Sequence, residues 1–270
     1  MTLVLTLRER PEQRLDLSPL LPHLLAGKTA NEISAIELQM TRIRVTVGDI
    51  FRLRFGDAGQ IRIEGGCDRL DRVGAGMTCG AIEVLVDVVI QAGALMADVR
   101  LTISGNAGHW AASGMKRGEI EIAGSAGDRL GGPIAGEVAG MRGGIVIVRG
   151  NVGARAGDRL RRGTILIEGH AGDHAGSRMI AGTLIVRRGA GALPGYLMKR
   201  GTIVLGEGAS TLSPTFLDCG THRLLAMRLM AAFIRPYSAR VAVLLSGAMR
   251  RYAGDMAVLG KGELFTGNQS

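Results

Sequence analysis

Three groups of side chains in this sequence have the types and spacing to do chemistry. The first is His170-Ala-Gly-Asp173-His174, an H-x-x-D-H string made of zinc-ligand types. The second is a set of arginines that recur in phase: Arg117, Arg162 and Arg200 in one register, Arg129 and Arg155 in another, Arg159 and Arg178 in a third. Stacked guanidiniums would hold an anion, because each presents a planar fork of donors to carboxylate or phosphate oxygens. The third is a series of glycine strings such as Gly118-Glu-Ile-Glu-Ile-Ala-Gly-Ser-Ala-Gly-Asp-Arg-Leu-Gly131, which share the glycine richness of phosphate-cradling loops.

Each group also has a plainer reading. A dinucleotide-binding loop needs one strand, one glycine turn and one helix, with an acid about 20 residues further on. Here the glycines recur with strands and no helices between them, so they read as structural corners. His170 falls in the column of Ser125 and Asn151, and His174 in that of Arg129 and Arg155; both are polar turn positions. His109 and Trp110 are assigned to those same columns, with Trp110, the single tryptophan, as a contact residue. No metal site is expected from them. Asp128, Asp158 and Asp173 read as turn chemistry. No Ser/His/Asp order, carboxylate pair or reactive cysteine stands out, so no catalytic residue is assigned. The arginines remain: either a solvated basic face, or a surface for an acidic partner or polyanionic ligand. Arg129, Arg155, Arg159 and Arg178 are the candidate contacts.

The elements that must position these residues repeat. A pattern near G-x-I-x-I-x-G-x-A-G-x-x-x-G places Gly105, Gly124, Gly150 and Gly169 in phase, at steps of 19, 26 and 19 residues. Arg188 stands where the next copy puts its glycine. The long step holds seven extra residues, and its Gly- and Pro-rich sequence between Gly131 and Gly143 marks an excursion loop. Such a period signals a stacked coil architecture. Each coil supplies a short strand, with Ile120/Ile122, Val146/Val148, Ile165/Ile167 and Leu184/Val186 stacking inward. The expected fold is mainly β: a right-handed parallel β-helix, a single-stranded solenoid of ~19-residue coils.

Residues 1–60 do not follow the repeat and read as a small α+β N-terminal cap. Leu3, Leu5 and Leu7 alternate as in a strand, Ser18-Pro19 opens a helix through Leu25, and Ile36–Met40 and Ile43–Val47 are strand candidates. Residues 61–206 carry the repeats, degraded at first. Residues 207–270 form a helical C-terminal cap and tail, with Thr221 as N-cap of a helix ending before Pro236, a second amphipathic segment over Val241–Tyr252, and an extended Gly260–Phe265.

Composition agrees with a narrow aliphatic interior. Glycine numbers 42 of 270 residues, aromatics make up 3 %, and apolar residues 46 %. The net charge of +9 favours an anionic partner, although the scarcity of aromatics argues against nucleic acid. Cys67, Cys79 and Cys219 are odd in number and lack C-x-x-C spacing, as expected in a reducing compartment. Met1–Pro11 lacks the features of a signal peptide, and Gly80–Val99 is too charged to span a bilayer. A cytoplasmic protein away from membranes is expected.

The run from Gly131 to Val186, with Gly48-Asp-Ile-Phe51 and the tail Arg250–Phe265, resembles the C subunit of formylmethanofuran dehydrogenase and of its bacterial counterpart, the formyltransferase/hydrolase complex. A weaker similarity is to the C-terminal β-helix domain of glutamate synthase. The resemblance implies a non-catalytic scaffold beside an amidohydrolase-like subunit, a molybdopterin-enzyme-like subunit and a formyltransferase subunit. In the bacterial complex a formyl group passes from tetrahydromethanopterin to a methanofuran analogue and is released as formate. In the archaeal one, molybdenum or tungsten chemistry reduces CO2 onto methanofuran. Only four of the 33 basic residues are lysine (Lys28, Lys116, Lys199, Lys261), which favours the bacterial complex. The glutamate-rich tail of a methanofuran-type carrier would suit the arginine columns. A polysaccharide-binding or -cleaving β-helix is the remaining alternative, and it would need exposed aromatics and catalytic acids on one face.

Overall fold

The computed structural model describes residues 2–40, 44–65 and 68–267. Ile43, the start of one expected strand, and Cys67 lie outside the described residues.

The fold is mainly β, built on one large and mostly parallel sheet. Among the described residues thirteen strands follow one another from Phe51–Arg54 at one edge through Thr2–Leu7, Asp57–Glu64, Ala81–Val84, Arg100–Ile103, Glu119–Ile122 and Arg142–Val148. They continue through Arg162–Ile167, Thr183–Val186, Arg200–Leu205, Lys261–Gly267 and Met249–Gly254 to Leu217–His222. Cα partners in the parallel stretch run Ile82, Leu101, Ile120, Val146, Ile165, Leu184 and Ile203. This is the register the repeat demands, including the one long step. A second parallel ladder links Val88, Ala107, Ala126, Val152, Ala171, Ala190 and Ala209. The chain therefore returns to the same two ladders on every step.

Inward positions explain the composition. Ile82, Leu101, Ile120, Val146, Ile165, Leu184 and Ile203 are all buried, and the second ladder takes small residues where the wall is close. A third buried column stacks Met77, Met96, Met115, Met141, Leu160, Met179 and Met198 at the corner leading into each strand. Met suits a corner because its unbranched chain fills irregular space. Two glycines, one in the second ladder and one at a corner, show where stacked backbones exclude side chains. A Cβ on Gly108 would lie 1.7 Å from the Val89 carbonyl oxygen, and Gly118 combines φ +97° with a Cβ position 2.2 Å from the Val99 oxygen.

The outward face of the sheet changes along the stack. Over Ala81–Ile122 the outward side chains are polar, as at Glu83, Thr102 and Glu121. From Arg142 onward they are Ile147, Leu166, Ile185 and Val204, all buried under two helices, Leu225–Ile234 and Ala239–Ser246. These helices thus cover the side of the sheet, contributing Met227, Ala231, Ile234, Val241, Ala242 and Leu245 to a second apolar cluster. Thr221 does not cap the first of them. It belongs to strand Leu217–His222, and Leu224 stands at the N-cap without a side-chain bond. The second helix ends at Ser246, and Met249–Gly254 turns into a strand instead.

At the other end the expected helix from Ser18 begins later, at Pro22, and lasts one turn. Gly48-Asp49 lies in a short helix, Val47–Ile50, because Thr46 and Asp49 form a capping box. The first strand joins the main sheet, parallel to Asp57–Glu64. A smaller sheet of four strands, Arg44–Thr46, Glu37–Met40, Leu15–Asp16 and Leu70–Asp71, lies beside it. Among the described residues no helix is long and apolar enough to cross a membrane.

Candidate functional site

The turns that follow the second ladder place side chains in an unusual backbone state. Gln91, Trp110, Arg129, Arg155 and His174 stack in one column with φ between +55° and +59°. Arg159 and Arg178 share a neighbouring column, at φ +51° and +54°. A left-handed conformation costs a non-glycine residue roughly 1–2 kcal/mol. Main-chain bonds between coils hold it: the N–H of Trp110 donates to the Asp128 carbonyl (2.9 Å), Arg129 to Ala154 (2.8 Å), Arg155 to Asp173 (2.8 Å) and Arg159 to Ser177 (2.9 Å).

These columns bring all four candidate arginines into one cleft. Arg129, Arg155, Arg159 and Arg178 line a cavity of about 520 Å³ together with Trp110. The excursion loop, residues 133–137, forms its other wall. Arg129 Cζ stands 5.8 Å from the centre of the Trp110 ring, a cation–π contact. Arg178 is neutralised from within. Its Nε and Nη2 donate to Asp158 Oδ1 (3.0 Å) and Oδ2 (2.7 Å), and Ser177 Oγ donates to the same Oδ1 (2.9 Å). Asp158 is 2 % exposed. Like charges one coil apart, as at Arg159 and Arg178, repel, and a carboxylate of the protein itself relieves this. Glu137, at the rim, is paired with Arg142. Among the described residues Arg129, Arg155 and Arg159 make no ion pair. What remains is three half-buried guanidiniums beside an indole, an arrangement with the charge to hold an anion.

No family model matches the chain. It is 44 % identical over 262 residues to the C subunit of the formyltransferase/hydrolase complex Fhc of Methylorubrum extorquens, covering 96 % of this chain and 98 % of that protein. The chain belongs to the family of formyltransferase/hydrolase complex C subunits. A chain in the crystal structure of the formyltransferase/hydrolase complex FhcABCD from the same organism, in complex with methylofuran, superposes with a TM-score of 0.93. It is 43 % identical, covering 98 % of this chain and all of that one.

The other residues singled out by type and spacing stand apart from the cleft. Arg117, Arg162 and Arg200 are exposed where strands begin. His170 and His174 do not converge: the His170 N–H donates to Asn151 Oδ1 (2.9 Å), while the His174 ring meets Tyr196 edge-on at 6.0 Å. His109 stands one column away from His174, and its Nδ1 accepts from the Asp128 N–H (3.0 Å). Among the described residues no three His, Cys, Asp or Glu side chains gather as a metal site. Cys79 and Cys219 are free thiols. Asp128 and Asp173 do serve the turns, accepting the N–H of Ala154 (2.8 Å) and Ala192 (2.7 Å) in the next coil. Asp158 is the acid that differs. Its phase was the available signal: it stacks on Ser177 and adjoins Arg178, a partner 20 residues on. The loop wall had no such signal, since Pro133, Ile134 and Glu137 belong to the one coil that breaks the period.

Proposed function

We propose that the chain is the non-catalytic scaffold of a formyltransferase/hydrolase complex in one-carbon metabolism. That complex would transfer a formyl group from tetrahydromethanopterin to a methanofuran-type carrier and release formate. The observation that carries this reading is the identity to the Methylorubrum relative across nearly the whole length of both chains. Its partners would be an amidohydrolase-like, a molybdopterin-enzyme-like and a formyltransferase subunit, in the cytoplasm. The two parallel ladders with a shared 19-residue return support a right-handed parallel β-helix over 61–206, between an N-terminal unit (1–60) and a C-terminal one (207–270).

In this reading the cleft lined by Arg129, Arg155, Arg159 and Arg178 receives the anionic part of the carrier or an acidic partner surface. Arg178 holds the cleft's shape through Asp158, and the other three supply uncompensated charge. The test is reconstitution of the complex with Arg155→Gln/Arg159→Gln in this chain, followed by steady-state kinetics on formyl-methylofuran. A carrier contact predicts a KM raised about tenfold at unchanged kcat, with a flatter salt dependence. Intact assembly with unchanged KM would remove the cleft from the proposal. Molybdenum or tungsten in the purified complex would favour the dehydrogenase instead.

A further inference from the structure

The two C-terminal helices bury one side on the sheet and leave the other without cover. Along the first, Leu225, Leu229 and Phe233 follow at four-residue spacing and are 68 %, 64 % and 53 % exposed. They form a stripe opposite the buried Met227, Ala231 and Ile234. Val243 on the second helix is 75 % exposed. Residues 223–247 contain four arginines, Arg223, Arg228, Arg235 and Arg240, and no carboxylate. All four are exposed, and among the described residues none makes an ion pair.

The surface has relief as well as charge. A hollow of about 340 Å³ lies between Arg223, Arg228 and Gly247. Another of about 510 Å³ runs along Arg187, Arg240 and Val243. A third, about 600 Å³, opens where Phe233 and Tyr237 overhang strand Glu119–Ile122. An apolar ridge flanked by hollows and rimmed by unpaired cations is the complement of an apolar patch bordered by carboxylates.

We infer that this outer helix face is a docking surface for an acidic, apolar-centred patch on another member of the complex. The inference rests on the assembly reading above. A second copy of this chain fits poorly, because face-to-face contact sets the same four exposed arginines against one another, while the acids beside the hollows, Asp98, Glu119 and Glu207, come from the sheet and its turns and not from the helices. A flat bilayer would cover the stripe but leave the hollows unfilled.

The test co-expresses the remaining subunits with either wild-type chain, Leu229→Glu/Phe233→Glu, or Arg223→Glu/Arg228→Glu. Native mass spectrometry and titration of purified chain into the rest of the complex read the outcome. Thermal melts check that each variant is folded, since the altered side chains are exposed. Expected are a loss of affinity of at least about thirtyfold for the apolar pair, and a smaller, salt-sensitive loss for the charge reversal. Folded variants that assemble with unchanged affinity would overturn the docking surface and leave the assembly reading standing. Failure of the wild-type chain to assemble would overturn both. Dimerisation of the chain alone, or binding to anionic phosphatidylglycerol vesicles that the same variants abolish, would assign the face to the other occupants and overturn the inference.

Discussion

At the residue scale the cleft turns on one buried carboxylate. Asp158 holds Ser177 and both nitrogens on one edge of the Arg178 guanidinium. Asp158→Asn keeps the shape and removes the charge, leaving a half-buried cation facing an amide. The expected cost is about 2 kcal/mol, read as a lower urea midpoint at unchanged m-value. An unchanged midpoint would mean that solvent already carries the charge of Arg178. A second acid has a different role. Asp255 is 1 % exposed; burial pushes its carboxyl up, but bonds from Thr215 and from the N–H groups of Ala257 and Leu197 outweigh this and hold it below the ordinary value. A depressed folded pKa means that the stabilisation is complete above the unfolded value and is lost as pH falls through the folded one. Melts taken from pH 7 downward should therefore show a steeper loss below about pH 4 in the wild type than in Asp255→Asn. Parallel curves would contradict it.

At the element scale a half-buried arginine adds a polar pin to the apolar packing of the helix pair. Arg149, outward at the end of strand Arg142–Val148, donates to Glu121 Oε1 (2.6 and 3.1 Å), to Glu168 Oε1 (2.9 Å) and to the Tyr237 carbonyl between the two helices (2.7 Å). Burial works against its charge, yet the two carboxylates win and keep it firmly protonated. Arg149→Met should cost about 2 kcal/mol and speed amide exchange in 225–246 before the rest of the chain; uniform exchange would show that the pin is dispensable. Much of the coil arithmetic was legible in the sequence, because a fixed glycine period with paired aliphatics leaves few registers. The position of the helices has a signal too, but one that the period alone does not reveal. Glu-Ile-Glu-Ile at 119–122 gives way to Ile-Val-Ile-Val at 145–148, and a strand apolar on both faces needs cover on both. Short elements were harder. Thr29-x-x-Glu32 signals the helix Ala30–Ser34, as does Thr46-x-x-Asp49 for its neighbour, yet these single turns are set by the few hydrogen bonds of a capping box and leave no periodicity. The cleft was half visible: the columns named its arginines, while the wall from the irregular coil required the fold.

At the scale of the whole molecule the stack is uneven. Coils over 81–122 are held chiefly by their neighbours, whereas those from 145 onward are also tied together by the helices. Stacks of this kind open from their weaker units. Hydrogen exchange should show strands Ala81–Val84 and Arg100–Ile103 opening at lower free energy than Arg162–Ile167 and Thr183–Val186; equal protection would mean that the sheet opens as one unit. The two edges of that sheet have a further consequence. A repeating parallel stack is a template, and another chain's strand could extend it indefinitely, as in a fibril. Here both outermost pairings are antiparallel: Phe51–Arg54 against Thr2–Leu7, and Leu217–His222 against Met249–Gly254. One edge carries the exposed Arg52 and Arg54. An incoming copy meets a strand of the wrong direction, out of step with the repeat. The reversals that finish this sheet thereby leave a further copy no parallel edge on it to extend.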